Sequence, residues 1–174
     1  MIDKLSERLG GPRIVFSLLV LYLLNQLAIG LVLAEARDDI LPLQLAFTLE
    51  NYQAIVSTWS AEQGQSFVRH FYLDFYHPFL YAFFLFSALS YFKSRGKFEQ
   101  RWFLLLPFVA GFLDLTENVL HLTMHLQSLP TNSATVFLSS LAASVKWTLA
   151  GASVLLVAYY LFKPARKEEE QLIA

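Results

Sequence analysis

The sequence contains no cysteine and few charged residues. Without cysteine the chain has no disulfide, no thiolate metal ligand and no thiol nucleophile, so those chemistries are excluded. Charged residues make up 16% of the 174 positions, whereas a typical soluble domain has about 25%. The net charge of −1 gives no general attraction for nucleic acid, and we expect no nucleic-acid partner.

The chain instead has a large excess of apolar residues, 56% by composition, gathered into four long runs. Each run is long enough to cross about 30 Å of hydrocarbon as a helix. The first could also be a secretory signal, because Ala34-Glu-Ala36 resembles a cleavage site. Its apolar stretch is longer than that of a signal, so we favour a retained helix. We predict an all-α, polytopic membrane protein with one domain, 1–174, and transmembrane helices at 14–33, 71–92, 102–126 and 135–162.

The distribution of basic residues predicts the topology, because cytoplasmic loops are enriched in lysine and arginine. The N-terminus, the connection between the second and third runs, and the tail 163–174 are basic, whereas the connections 34–70 and 127–134 are not. Both termini should therefore be cytoplasmic, and the small size favours a bacterial cytoplasmic membrane. The basic residues concerned are Lys4, Arg8, Arg13, Lys93, Arg95, Lys97, Arg101, Lys163, Arg166 and Lys167.

The first connection, 34–70, is too long to be a simple turn. Apolar residues recur there at helical spacing, which predicts an amphipathic helix on the outer membrane surface. Such a helix could simply cap the bundle, or it could act as a lid over a site that opens outward. The residues that carry the pattern are Leu45, Leu49, Tyr52, Val56 and Trp59.

Polar residues follow one face of the third predicted helix, where carboxylates are costly. At 100° per residue, all of them lie within about 60° of Asp114. A second stripe follows the outer half of the second helix. The two stripes are Asp114, Glu117, Asn118, His121 and His125 on the third helix, and His70, Asp74, His77 and Tyr81 on the second.

Depth along the helices predicts an inner polar layer near the membrane midplane. At a rise of 1.5 Å per residue, Asp114 lies about 18 Å from the start of its helix at residue 102, and Lys146 lies about 16 Å from the start of its helix at residue 135. Because these helices enter from opposite sides, both residues lie near the midplane. Small residues surround Lys146 in sequence, so it should point into the bundle and pair with Asp114. This pair could be purely structural, or it could bind substrate or relay protons. Supporting polar residues are Asn25, Gln26 and Asn118 in this layer and Tyr81 in the outer one; Asn118 should satisfy a backbone group or bridge helices.

The remaining acids and histidines predict a separate outer layer in which Glu117 has no evident basic partner. Imidazole and carboxylate groups at these spacings suit a divalent metal such as zinc, iron or manganese. The pair His70-x3-Asp74 resembles the His-x3-Asp pair of cation-diffusion zinc transporters, which implies metal ligands on this helix. Hydrogen-bonded or interfacial histidines are the alternative. The candidate metal ligands are Asp74, His77, Glu117, His121 and His125.

Three functions are compatible with these patterns. The first is an enzyme in the bilayer that acts on a lipid-like substrate at the outer leaflet. The second is a small proton- or metal-coupled transporter, acting as a homodimer because four helices are few for a monomeric carrier. The third is an accessory subunit whose polar layer only specifies assembly. In the enzyme the catalytic residues would be Glu117, Asp74, His77 and His121.

Overall fold

The computed structural model of the protein describes residues 2–164. In this part of the chain there is no strand, and the all-α prediction is confirmed. The tail predicted at 163–174, with Arg166 and Lys167, lies almost entirely outside the described residues. The helices are α1 (Ile2–Leu9), α2 (Pro12–Val32), α3 (Arg37–Gln44), α4 (Leu49–Val56), α5 (Ala61–Asp74), α6 (His77–Ser94), a 3-10 turn (Arg101–Leu104), α7 (Leu106–His125) and α8 (Ser133–Phe162).

Three segments of the described chain are long and apolar enough to cross a membrane: Pro12–Val32, Arg101–His125 and Ser133–Phe162. They correspond to the first, third and fourth predicted spans. The faces of α2 and α8 that point away from the bundle carry exposed leucine, valine and phenylalanine side chains, including Leu24, Leu31 and Leu155. These faces suit contact with lipid tails.

The second predicted span, 71–92, is not one continuous helix. The chain forms α5 and α6 with a break at Phe75 and Tyr76. Pro78 lies in the first turn of α6, where its missing N–H and its fixed φ favour a helix start. A fourth crossing would therefore need α6 together with part of α5.

Helix α7 packs between α6 and α8, and α2 packs against α6. Its buried face carries Ala110, Gly111, Asp114, Glu117 and Asn118. The opposite face exposes Phe112 and Val119. The polar stripe of α7 therefore points into the protein.

Gly111 allows α7 to approach α6 closely, since an added Cβ would lie 3.2 Å from the Pro78 carbonyl oxygen. We expect Gly111→Leu to lower the free energy of unfolding in detergent by about 1–3 kcal/mol, because the helices must move apart. Gly151→Leu on α8 is the matched control, as nothing lies within 4 Å of the position of its added Cβ. Equal effects of the two substitutions on denaturant unfolding would contradict this explanation.

The connection after α2 folds into two short helices, not the single amphipathic helix that the pattern predicted. A break at residues 45–48 separates α3 from α4, with Phe47 at φ 53°. Thr48 then begins α4, its hydroxyl accepting a hydrogen bond from the Asn51 N–H at 3.2 Å. Leu45, which the pattern had placed on the apolar face, is exposed.

Helices α3 and α4 nevertheless close one end of the bundle, which we call the cap end. The Phe47 N–H donates to Ser140 Oγ of α8 at 3.0 Å, and Trp59 Nε1–H donates to Asp39 at 2.8 Å. Their apolar residues join a common core with α5, α7 and α8, whose buried members include Leu43, Tyr52, Phe67, Met124 and Val136. The cap is thus an integral part of the fold.

The opposite end, which we call the basic end, brings the predicted basic clusters together. Asp3 of α1 contacts Lys93 at 3.4 Å and Arg101 at 3.1 Å. Lys97 donates to the carbonyl oxygens of Tyr160, at 2.8 Å, and Lys163, where α8 ends. A lysine there satisfies free carbonyls and complements the helix dipole.

Candidate functional site

Lys146 of α8 contacts two carboxylates of α7 in the middle of the bundle. Its Nζ lies 2.9 Å from Asp114 Oδ1 and 2.6 Å from Glu117 Oε2. The exposed fractions of the three residues are 5%, 4% and 0% for Lys146, Asp114 and Glu117. Ser139, Ala142 and Ala143 on the same face of α8 are small and buried, which lets the two helices approach. We call Asp114, Glu117 and Lys146 the central ion cluster.

The expected contact between Asp114 and Lys146 is present, but the expected separation of Glu117 into an outer layer is wrong. Residues 114 and 117 are three positions apart and share one face of α7. The side chain of Lys146 is long enough to reach carboxylates on successive turns. Glu117, expected to lack a basic partner, therefore has the shorter of the two contacts with Lys146.

His121 continues the cluster by one helical turn toward the cap end. Its Nε2 lies 3.9 Å from Glu117 Oε1, and its ring is 3% exposed. Tyr52 of α4 stacks on this ring, with centroids 6.1 Å apart and planes 15° from parallel. Burial raises the pKa of Tyr52 to about 12, so its hydroxyl stays protonated. Tyr52 therefore covers His121 without carrying charge.

His125 lies another turn toward the cap end and is only half-buried. Its ring contacts those of Trp59 and Phe67, at centroid distances of 5.9 Å and 5.2 Å. It also lines an open groove between α5 and the end of α7. Glu117, His121 and His125 thus form a row of titratable groups from the buried cluster to the surface.

The second polar stripe lies beside the cluster but turns partly away from it. His70 Nε2 is 3.8 Å from Asp74 Oδ2, and His70 Nδ1 meets the carbonyl oxygen of Phe67. His77 Nδ1 meets Asn25 Oδ1 of α2 at 3.0 Å. Asp74 is within electrostatic range of Asp114 and Lys146. Asp74 therefore belongs to the surroundings of the cluster, whereas His77 is directed to α2.

Two asparagines satisfy the backbone where α5 ends. In a continuous helix the Asp74 carbonyl would accept from the N–H of residue 78, which is proline and has none. Asn118 Nδ2 donates to the Asp74 carbonyl instead, at 3.3 Å, and Asn25 Nδ2 donates to the Leu73 carbonyl, also at 3.3 Å. Both roles expected of Asn118, satisfying a backbone group and bridging helices, are thus fulfilled by one contact.

Of the other two supporting residues, Tyr81 lies near the central ion cluster and Gln26 does not. Gln26 is exposed on α2 and does not join the cluster, because it faces away from the bundle one position after Asn25. Tyr81 of α6 is buried and lies within electrostatic range of Asp114, Glu117 and Asp74.

Several buried polar side-chain atoms of residues 2–164 lack a hydrogen-bond partner, and four of them belong to Glu117 and His121. They include both carboxylate oxygens of Glu117, both ring nitrogens of His121, Ser139 Oγ and the Tyr81 hydroxyl. The 2.6 Å contact of Glu117 with Lys146 is close but does not have hydrogen-bond geometry. Such atoms normally bind water, an ion or a ligand. Ser139 was not among the candidate site residues; its spacing of seven residues, two helical turns, from Lys146 was the sequence signal that could have identified it.

The predicted metal ligands do not converge. Among residues 2–164 no group of three or more His, Asp or Glu side chains is arranged to hold a metal ion. His77 is directed to Asn25, and His125 is held between aromatic rings. A zinc, iron or manganese site stays a prediction from the spacing alone.

Comparison of the chain with protein-family models, with curated proteins and with solved structures gives no match.

Proposed function

We propose that this protein is a small proton-coupled membrane carrier in which Glu117 takes up and releases the proton. The observation that supports this proposal is the balance of charge in the bundle. Two carboxyl groups, Asp114 and Glu117, contact one ammonium group, Lys146, and a third, Asp74, lies within electrostatic range of it. If all were ionised, two negative charges would be uncompensated in an apolar interior, which is costly. Protons are the simplest counter-charge.

Glu117 suits the role better than the other two carboxyl groups. Asp114 accepts a well-aligned hydrogen bond from Lys146 at 2.9 Å, which makes it the fixed partner of the ammonium group. Glu117 is fully buried, lacks a well-aligned hydrogen bond and has His121 one turn away. A carboxyl group and an imidazole in such a row can pass a proton between them.

His121 and His125 give the proton a route toward the cap end. The route ends at the groove that His125 lines. By the positive-inside rule the basic end would face the cytoplasm, so the cap end would face outward in a bacterial cytoplasmic membrane. The α5–α6 segment would make the fourth crossing, and a homodimer would supply the helices that one chain lacks.

A second function, an enzyme acting on a lipid-like substrate, is favoured by the position of the same groove. A lipid in the groove would lie beside His125, two turns from Glu117. Glu117, as general acid or base, would then exchange a proton with the substrate through His121 and His125, with Asp74 and His77 as further partners and Lys146 stabilising charge.

Infrared difference spectroscopy of the reconstituted protein tests the proton site. The wild type should show a protonated-carboxyl band that titrates with pH, and Glu117→Gln should lower its intensity, leaving only the part due to Asp74. Asp38→Asn, at an exposed acid on α3, is the matched control and should leave it unchanged. A band of full intensity in Glu117→Gln would contradict the proposal.

Proteoliposomes distinguish the two functions. A carrier should collapse an imposed pH gradient when its solute is present, and Glu117→Gln should not. An enzyme should convert a lipid of the vesicle into a product detectable by mass spectrometry, again only with Glu117 present.

A further inference from the structure

The groove at the cap end has features that the proton site does not use. It has a volume of about 650 Å³ and lies between α5 and the end of α7. Its lining includes the small residues Ala61 and Gly64 of α5, and its polar groups come from both helices. The lining residues that matter for binding are Gly64, Gln65, Arg69, Tyr72, His125 and Leu126.

Arg69 gives the groove a positive charge that no acid neutralises. Its guanidinium donates to Gln65 Oε1 at 3.3 Å, one turn earlier on α5. Within residues 2–164 no carboxylate forms an ion pair with it, and the groove lining contains no acidic residue. The guanidinium group is planar and has five N–H donors, so those not used by Gln65 can bind the oxygens of a phosphate group.

The groove lies at the level where phospholipid headgroups would be found. His125 is the last residue of one candidate membrane span. Tyr72 and Leu126, at the rim of the groove, are 77% and 56% exposed. Tyrosine is enriched where membrane meets water, and an exposed leucine beside it suits an acyl chain. The groove therefore offers a cationic group and an apolar edge side by side.

We propose that this groove binds a phospholipid, with the phosphate held by Arg69 and His125 and one acyl chain lying against Tyr72 and Leu126. The charge of the groove is complementary to a phosphodiester, and its exposed apolar residues are suited to an acyl chain. This inference does not depend on proton transfer at Glu117. A lipid here could support the fold or, in an enzyme, present a substrate.

Native mass spectrometry of the detergent-purified full chain tests the site by titration with phosphatidylglycerol. We expect one lipid to be retained by the wild type and its apparent affinity to fall about fivefold in Arg69→Gln, the effect of one cation near an anionic group. Arg37→Gln is the matched control, since Arg37 is an exposed arginine elsewhere in the same connection. It should retain the lipid as the wild type does.

Two further ligands identify what is bound. Diacylglycerol with the same acyl chains should bind weakly, because it lacks the phosphate. Inorganic phosphate should not displace the lipid, because it lacks the chains. Equal retention of diacylglycerol, displacement by inorganic phosphate, or equal losses in Arg69→Gln and Arg37→Gln would each overturn the proposal. Circular dichroism of the variants shows that a loss of lipid is not a loss of fold.

Discussion

Lys146→Met is expected to lower the free energy of unfolding by about 3–5 kcal/mol, as measured by denaturant unfolding in detergent micelles. The methionine fills similar volume but leaves Asp114 and Glu117 buried without their cation. Because both carboxylates contact the same ammonium group, one substitution removes both interactions. Lys4→Met at an exposed position of α1 should have little effect.

The lost unfolding free energy should be recovered when the carboxylates of Asp114 and Glu117 are also removed. In the Lys146→Met background, Asp114→Asn or Glu117→Gln alone should restore part of the stability, and both together most of it. The recovery tests whether the lost stability is electrostatic. If the triple variant is no more stable than Lys146→Met, then the central ion cluster does not have the energetic role described here.

Asn118→Leu should cost about 2–3 kcal/mol of unfolding free energy, because it leaves the Asp74 carbonyl unpaired inside the bundle. The structure attributes the need for this hydrogen bond to Pro78, which lacks the N–H that would otherwise satisfy that carbonyl. Pro78→Ala supplies such an N–H. The cost of Asn118→Leu should therefore be smaller when Pro78 is already alanine.

A double-mutant cycle measures this coupling, with the unfolding free energies of the wild type, both single variants and the double variant. Asn132→Leu, which removes the asparagine that caps α8, is an informative control because its loss should not depend on residue 78. An effect of Asn118→Leu that is the same in both backgrounds would show that the two residues act independently.

The sequence was sufficient to predict those features that depend on length and periodicity. Three of the predicted spans coincide with segments long and apolar enough to cross a membrane. Over about 20 residues, the mean hydropathy is a stronger signal than the helix propensity of any single residue. The contact of Asp114 with Lys146 was predictable from helical rise and from the small residues around Lys146. The partner of Glu117 was not, because depth was assigned to each backbone position, whereas the side chain of Lys146 reaches across a full turn of about 5.4 Å.

The breaks in α5–α6 and α3–α4 were not predictable from the same patterns. An apolar run containing Pro78 fits a kinked span as well as two helices, and the outcome depends on Asn25 and Asn118 from other helices. Likewise, the periodicity from Leu45 to Trp59 continues through a break set by Phe47 and its contact with Ser140 of α8. These are tertiary interactions, which a local pattern does not contain.

The hydrogen bonds at the end of α5 have a consequence for the order of assembly. Asn25 precedes α5 in the chain and can reach the Leu73 carbonyl as soon as α5 and α6 are made. Asn118 is synthesised more than 40 residues after Asp74. The Asp74 carbonyl therefore has no side-chain donor until α7 has been made and has packed against α5. The bend between α5 and α6 is therefore completed late, by a helix that brings the buried acids and their histidines with it. The central ion cluster also needs Lys146 of α8, so it can form only after α7 has completed this bend.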